Sequence, residues 1–113
     1  ADARAGGRVV EFVVEGERRS LPDGVELAAY RVLQHALVAV RGGYEEPLTL
    51  RVRYLDDALE LEVRGFEAER STADIAVLAA RERVRVQGGT LSDERPLHGR
   101  RILRAHFPVA TSA

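Results

Sequence analysis

The clearest pattern in the chain is a strict alternation of apolar and polar residues in two neighbouring segments, Pro47–Asp56 and Ala58–Gly65. A period of two predicts two β-strands, each with one face turned toward a core. If Asp56 and Asp57 form a two-residue turn, antiparallel pairing places opposite charges together on one face and apolar residues together on the other. The sequence therefore predicts a hairpin with a defined register: Arg53 opposite Glu60, Arg51 opposite Glu62, Val52 opposite Leu61 and Leu50 opposite Val63.

A helical pattern precedes the hairpin. The segment Val25–Arg41 has no Gly or Pro, its apolar residues recur at steps of three and four, and Gly42 and Gly43 follow it. This spacing predicts an amphipathic helix that ends at the glycine pair. The face expected to be buried carries Tyr30, Leu33, Ala36, Leu37 and Val40.

A second helix is predicted from about Ala73 to Gln87, with Ser71 or Thr72 as its N-cap and Gly88 and Gly89 as its end. Its apolar residues fall on one side, where they are expected to face the sheet. They are Ile75, Leu78, Ala79 and Val86. The arginines at positions 81, 83 and 85 are expected to form a solvated face.

The remaining segments complete an α+β order. Arg8–Glu15 predicts a strand, Thr90–Leu91 a short strand, Ser92–Gly99 a loop and Arg100–Val109 the final strand. Two helices can cover only one face of such a sheet. We therefore expect a two-layer α/β sandwich, with a mixed, mostly antiparallel sheet of four to five strands covered on one face by two helices.

Composition limits the functional classes. The 113 residues suit one domain, with an ordered core at about 8–109, and the start without Met indicates a piece of a longer protein. Seventeen basic and eighteen acidic residues give a net charge of -1, which argues against nucleic-acid binding. The absence of Cys excludes disulfides and thiolate metal sites. No apolar run approaches the roughly 20 residues that span a bilayer, so we expect a cytoplasmic domain.

Four ordered segments resemble a known family: LPDGVELAAYRVLQHAL, LTLRVRYLDDALELEVRG, AARERVRVQGGTL and a closing strand ending in FPV. In order and spacing they are similar to the ATP-binding domain of bacterial sensor histidine kinases, of the GHKL superfamily with the Bergerat fold. The similarity covers roughly Val9 to Val109. It implies a Bergerat-type sandwich and a place in a two-component signalling protein.

The resemblance assigns family positions to residues in the first helix. The family motif resembles YRIVQEALTNAxxHA, whose Glu positions water and whose Asn supplies an oxygen ligand to Mg²⁺. Here His35 stands at the Glu position and Ala39 at the Asn position. Neutral imidazole is a poor ligand for Mg²⁺ and Ala is none, so no metal site is expected.

Two further family segments also differ in this chain. A D-x-G-x-G segment follows the hairpin in the family, where its Asp binds adenine; here Gly65 stands at the Asp position, and Glu67 and Glu69 stand at the glycines. The phosphate-binding GLxGMRERV segment has Ala76 and Ala79 at its glycine positions. The family glycines allow close approach of the backbone to nucleotide. The substitutions replace adenine and phosphate contacts with small apolar side chains or with carboxylates that repel a triphosphate.

These differences lead to three hypotheses. The first is a degenerate histidine-kinase-like ATPase domain, with no catalytic residues and no cofactor, that acts as a regulatory or interaction module. The second is a divergent but ATP-competent domain that uses ATP and Mg²⁺ to phosphorylate a His on a missing dimerisation domain. The third is a remodelled pocket that binds another small ligand, with Glu67 and Glu69 preferring a cation. The expected partners are other domains of the same sensor or a response-regulator-like protein; the oligomeric state stays open.

The other histidines and the arginine-rich segments have simpler interpretations. His35 is expected to be partly buried and bonded to a neighbour, whereas His98 and His106 are expected at the surface. The arginines could form a basic patch, but a solvated face paired with Glu82 and Glu94 is favoured. They are Arg81, Arg83, Arg85, Arg100, Arg101 and Arg104.

Overall fold

The structure is a computed structural model that describes residues 2–5, 8–43 and 46–110. Within these ranges two helices cover one face of a mixed sheet of seven strands. The strands are β1 (Asp2–Ala5), β2 (Arg8–Glu15), β3 (Val40–Arg41), β4 (Leu48–Tyr54), β5 (Ala58–Glu67), β6 (Thr90–Glu94) and β7 (Arg100–Pro108). The helices are α1 (Asp23–Ala39) and α2 (Arg70–Val86). The predicted two-layer α+β sandwich is confirmed, with a wider sheet because β1 and β3 join it.

The strand order is β1-β2-β4-β5-β7-β6, and β3 pairs with β5. Only the β2–β4 pairing is parallel; every other pairing among the described strands is antiparallel. A parallel pair needs a crossover between its strands, and α1 provides it. This crossover brings α1 over the centre of the sheet, beside α2.

The β4–β5 hairpin has the predicted register. Arg53 lies opposite Glu60, Arg51 opposite Glu62, Val52 opposite Leu61 and Leu50 opposite Val63. The Leu55 N–H donates to the Ala58 carbonyl at 2.9 Å and closes the turn at Asp56 and Asp57. Local pairing preferences were sufficient to predict this register because the charged pairs and the apolar pairs both select it.

Helix α1 begins and ends two residues before the predicted Val25–Arg41. Its end differs because Val40 and Arg41 leave the helix and pair with Glu67 and Phe66 of β5. Ladder hydrogen bonds therefore replace the last half-turn of the expected helix.

Helix α2 begins at Arg70, three residues before the predicted start, and its N-cap is Glu69 rather than Ser71 or Thr72. The Glu69 carboxylate accepts hydrogen bonds from the Ser71 hydroxyl at 2.6 Å and the Thr72 hydroxyl at 2.7 Å. The two hydroxyls thus bind the cap instead of serving as one. The connection from β5 to α2 is only two residues long.

The expected buried faces of both helices are wrong in part. Tyr30 of α1 is exposed, and so are Ile75, Leu78 and Val86 of α2. Smaller residues pack inward in their place: Val25, Ala28, Ala29, Val32, Ala36 and Ala39 on α1, and Ala73, Ala76, Val77, Ala80 and Val84 on α2. Alanine lets the two helices approach each other and the sheet closely, which leaves the larger apolar side chains on the outside.

The predicted loop Ser92–Gly99 is also shorter than expected. Its first three residues belong to β6, which pairs with β7 from Thr90 opposite His106 to Glu94 opposite Ile102. The pairing extends because β7 is long enough to serve as a template for its neighbour.

Candidate functional site

The backbone of β3 covers Gly65, which stands where the family carries its adenine-binding Asp. Gly65 is buried in β5. A Cβ atom built on it would lie 2.5 Å from the carbonyl oxygen of Arg41 and 2.9 Å from the Val40 Cγ1 atom. Real Cβ atoms do not approach a backbone oxygen this closely, so the position accepts only glycine. The space beside it is filled by this chain itself.

Glu67 and Glu69 each have partners within the chain. The Glu67 carboxylate lies 3.5 Å from Nε of Arg95, and its carbonyl accepts a hydrogen bond from Nε of Arg41 at 3.0 Å. Glu69 caps α2, and hydrogen bonds from Ser71 and then Thr72 lower the pKa of its carboxyl to about 2. Both carboxylates therefore contribute to local structure at the start of α2.

Ala76 and Ala79 lie well inside α2, which begins at Arg70. Only the first four N–H groups of a helix lack an intrahelical partner. The N–H groups at these two positions are therefore bonded within the helix, and Ala76 is also buried. An anion could reach free N–H groups only near Arg70, and there the Thr72 N–H already donates to the Glu69 carboxylate.

Ala39, at the family's metal-ligand position, is 0% exposed. Its carbonyl accepts a hydrogen bond from the Ala68 N–H at 3.1 Å, which ties the end of α1 to the β5–α2 connection. Among the described residues no three His, Asp or Glu side chains are grouped as a metal site. The Ala39 side chain itself has no oxygen to offer a metal ion.

His35 lies one turn before Ala39, on the outer side of α1. It is partly buried as predicted, but the described part of the chain gives it no hydrogen-bond partner. Burial, followed by the charges of Arg83 and Arg31, lowers the pKa of its imidazole. This shift favours the neutral form of the ring.

His35 lines an open groove of about 550 Å³ between α1 and α2. Ala79 lines the same groove, together with Leu27, Ala28, Val86 and Arg83. Of the seven predicted site positions, His35 and Ala79 thus share a surface, Ala39, Gly65 and Ala76 are packed inside, and Glu67 and Glu69 flank the start of α2. The structure does not bring the seven together as one pocket.

Arg101 is a buried ion-pairing residue that the sequence analysis placed wrongly on a solvated face. Only 1% of its surface is exposed, and its guanidinium donates to both carboxylate oxygens of Asp93 at 3.0 and 2.8 Å. Gly65, directly opposite on β5, has no side chain at this place. The sequence contained a signal for this burial. Arg101 lies two, four and six residues before Leu103, Ala105 and Phe107 in β7, so it shares the face on which all three are buried.

The open face of the sheet carries the expected surface ion pairs. Arg53 binds both Glu15 and Glu60, at 3.2 and 3.1 Å, and Arg104 binds Glu62 at 2.9 Å as well as Glu94. His98 and His106 are exposed as predicted, and Nδ1 of His106 lies 3.0 Å from Glu60. This face is a cross-strand charge ladder whose cations are already paired.

No family model matches the sequence, and no curated protein sequence matches it. Solved structures do match its fold. The catalytic domain of the histidine kinase ThkA superimposes with a TM-score of 0.55 at 13% identity, over 91% of this chain and 82% of that one. The histidine kinase AdeS of Acinetobacter baumannii gives 0.61 at 10% identity, over 90% of this chain and 55% of that one.

A third match is the histidine kinase domain of the blue-light-activated histidine kinase from Erythrobacter litoralis EL346. It has a TM-score of 0.56 at 16% identity, over 88% of this chain and 55% of that one. This chain therefore spans about half the length of two of the three structures. No helix in the described residues is long and apolar enough to cross a membrane. The superpositions cover nearly the whole chain, and the chain has the fold of a histidine kinase catalytic domain.

Proposed function

We propose that this chain is a histidine-kinase-like domain that has lost nucleotide binding and phosphotransfer and acts as a regulatory or interaction module. In this proposal it belongs to a bacterial two-component-type sensor protein. Its partners are other domains of that protein or a response-regulator-like protein, in the cytoplasm.

One observation supports the proposal best: at Gly65, the residue that the resemblance aligns with the family's adenine-binding Asp, the backbone of β3 lies where a side chain would be. The carbonyl oxygen of Arg41 lies 2.5 Å from where a Cβ of residue 65 would be. An Asp there would need β3 to separate from β5, because the two strands pair directly beside it. A divergent enzyme could tolerate a missing side chain, whereas here the neighbouring strand leaves no room for any side chain at this position.

The phosphate and metal positions support the same conclusion. The helix start that would bind phosphate carries its own carboxylate, Glu69, which would repel a triphosphate. Ala39 offers no ligand oxygen and is fully buried. Three different requirements of nucleotide binding are thus unmet by three different parts of the chain.

The test is a nucleotide titration of the 113-residue chain, with melting temperature as the measurement. ATP or ADP with Mg²⁺, raised to millimolar concentration, should leave the melting temperature unchanged. Binding at 100 times the dissociation constant would add about 2.7 kcal/mol to the free energy of unfolding. That corresponds to a rise on the order of 10 °C for a domain of this size.

The matched control is the variant Gly65→Asp in the same titration. If the pocket only lacked its carboxylate, this variant would gain a nucleotide-dependent shift. A filled pocket predicts a less stable protein with no such gain. A saturating shift in the unmodified chain would contradict the proposal and support a divergent, ATP-competent domain.

A further inference from the structure

The outer surface of the two helices is unusually apolar for a face in contact with water. Six large apolar side chains there have between 44% and 71% of their surface exposed. They are Leu27, Tyr30 and Val38 on α1 and Ile75, Leu78 and Val86 on α2. Two of them, Leu27 and Val86, line the groove between α1 and α2, and exposed apolar side chains grouped around a depression mark an interaction site.

The groove between α1 and α2 lies within this surface. The helices are antiparallel neighbours, since Gly24 at the start of α1 faces Gln87 at the end of α2. Ala28 and Ala79 line the groove with methyl groups only, and Leu27 and Val86 line it with larger apolar groups. Two helices with a depression between them offer a third helix the ridges and grooves that helix packing requires.

Arg83 lines this groove, and Arg31 lies one turn before the groove residue His35 on α1. Arg31 and Arg83 are both close enough to His35 to lower the pKa of its imidazole. Arg31 donates a hydrogen bond to the neutral Gln34 side chain at 3.0 Å, and Arg83 has no carboxylate partner among the described residues. Glu82, also in the lining, is already paired with Arg85 at 3.1 Å. A complementary ligand is therefore apolar along its length and acidic at one or two points.

We propose that this groove binds an amphipathic helix of a partner protein, with its apolar stripe against Leu27 and Val86 and an acidic side chain against Arg83 and Arg31. This inference rests on the proposed function, because it names the surface through which an interaction module would act. The residues of α1 that line the groove extend from Gly24 to His35, a rise of about 16 Å along the helix. That length matches about three turns of a bound helix.

The test uses designed helical peptides and the 113-residue chain, with binding measured by fluorescence anisotropy at about 0.1 M salt. The first peptide has 16 residues, a Leu stripe at helical spacing and Glu on both flanks. The second replaces every Glu by Lys, and the third replaces every Leu by Ser. We expect the acidic Leu peptide to bind, the Lys peptide to bind at least about tenfold more weakly, and the Ser peptide not to bind.

Two variants and their matched controls locate the site. Arg83→Glu should weaken binding of the acidic peptide about tenfold, whereas Arg70→Glu, the same charge change outside the groove on α2, should leave it unchanged. Leu27→Ser should weaken it about fivefold, and the similarly exposed Val14→Ser on β2 should not. All four positions are on the surface, so the variants are expected to fold.

Each outcome bears on the inference. Equal binding of the acidic and basic peptides, binding unaffected by Arg83→Glu, or no peptide binding would overturn it. Binding of decanoate in place of the acidic peptide would overturn it in favour of a site for an anionic acyl chain. If peptide binding is absent and nucleotide also leaves the melting temperature unchanged, only this inference fails; if nucleotide binds, the proposed function fails first.

Discussion

The two broad surfaces of this domain meet solvent in opposite ways. The open face of the sheet is a lattice of ion pairs, in which Arg53 and Arg104 each bind two carboxylates on neighbouring strands. The outer face of the helices exposes large apolar side chains, including Ile75 at 70% and Val86 at 71%. Charge is satisfied on one surface, and apolar area is left uncovered on the other.

This difference indicates which surface is available to a partner. A partner that covered the sheet face would remove these charges from water at a desolvation cost. Because the charges are already paired within the domain, new pairs with the partner would offset little of that cost. Covering the helical face would remove apolar surface from water and gain about 25 cal/mol for each Å². An interaction module of this fold should therefore bind through its helices.

The largest effect is expected for the buried ion pair between Arg101 and Asp93. Arg101→Ala should lower the free energy of unfolding by about 3 kcal/mol, because the largely buried Asp93 would lose its bidentate partner and keep only the longer contact with Arg95 at 3.5 Å. Arg104→Ala, three residues along the same strand, should cost less than about 1 kcal/mol because the Arg104 side chain itself is 42% exposed to solvent. Urea unfolding of both variants measures the two losses of unfolding free energy. Equal losses would mean that the ion pairs on the open face stabilise the domain as much as the buried pair does.

The next effect separates the two sides of α2. Val77→Ala should cost about 2 kcal/mol, since Val77 is 4% exposed. Leu78→Ala removes a larger side chain from the adjacent position but should change stability by no more than about 0.5 kcal/mol, since Leu78 is 64% exposed. The same urea experiment decides this point. A Leu78 cost equal to that of Val77 would show that the outer face is packed in the free domain.

The smallest effect is expected in acid. Burial alone would raise the pKa of Glu62 on the sheet face, but its hydrogen bond from Arg104 and the charges of Arg64 and Arg104 outweigh burial and lower it. Hydrogen bonds from Ser71 and Thr72 lower the pKa of Glu69 to about 2. A lowered folded-state pKa contributes stability above the unfolded value, near 4.5, and this contribution is lost as pH falls through the folded value.

Glu62→Gln and Glu69→Gln should each flatten the dependence of the unfolding midpoint on pH below about 4.5. Glu26→Gln, on an exposed carboxylate of α1, is the control and should leave that dependence as it is. An unchanged slope in both test variants would contradict the stabilising role of the two carboxylates.

Much of the fold could be predicted because local signals agreed with one another. In the β4–β5 hairpin, turn residues, charge pairs and apolar alternation all select the register that pairs Arg51 with Glu62 and Val52 with Leu61. The helices were harder to orient. Sequence periodicity identifies an apolar side, and the larger residues Ile75, Leu78 and Val86 suggested the wrong one for α2. Alanine packing decided otherwise, because close approach of two helices favours the smallest side chains.

The candidate site could be predicted only as a set of family positions. The space beside Gly65 is filled by β3. The pairing of Val40 and Arg41 with β5 is a tertiary contact, and a two-residue strand carries no local sequence signal for it. The burial of Arg101 was visible in the alternation of β7, but its partner Asp93 lay in a segment expected to be a loop. Contacts between segments distant in sequence account for what the sequence analysis missed.

The two-residue connection between β5 and α2 has a consequence for the thermodynamics of association. It is held by the Glu67 N–H bond to Gly99 and the Ala68 N–H bond to Ala39, and Glu69 caps α2 directly after it, so this connection does not have to become ordered when a ligand arrives. Association with a preorganised surface does not carry the conformational entropy loss of closing a loop. The affinity of this domain for a partner is therefore limited by the partner's own ordering, and a rigid partner should bind it more tightly than a flexible one of the same composition.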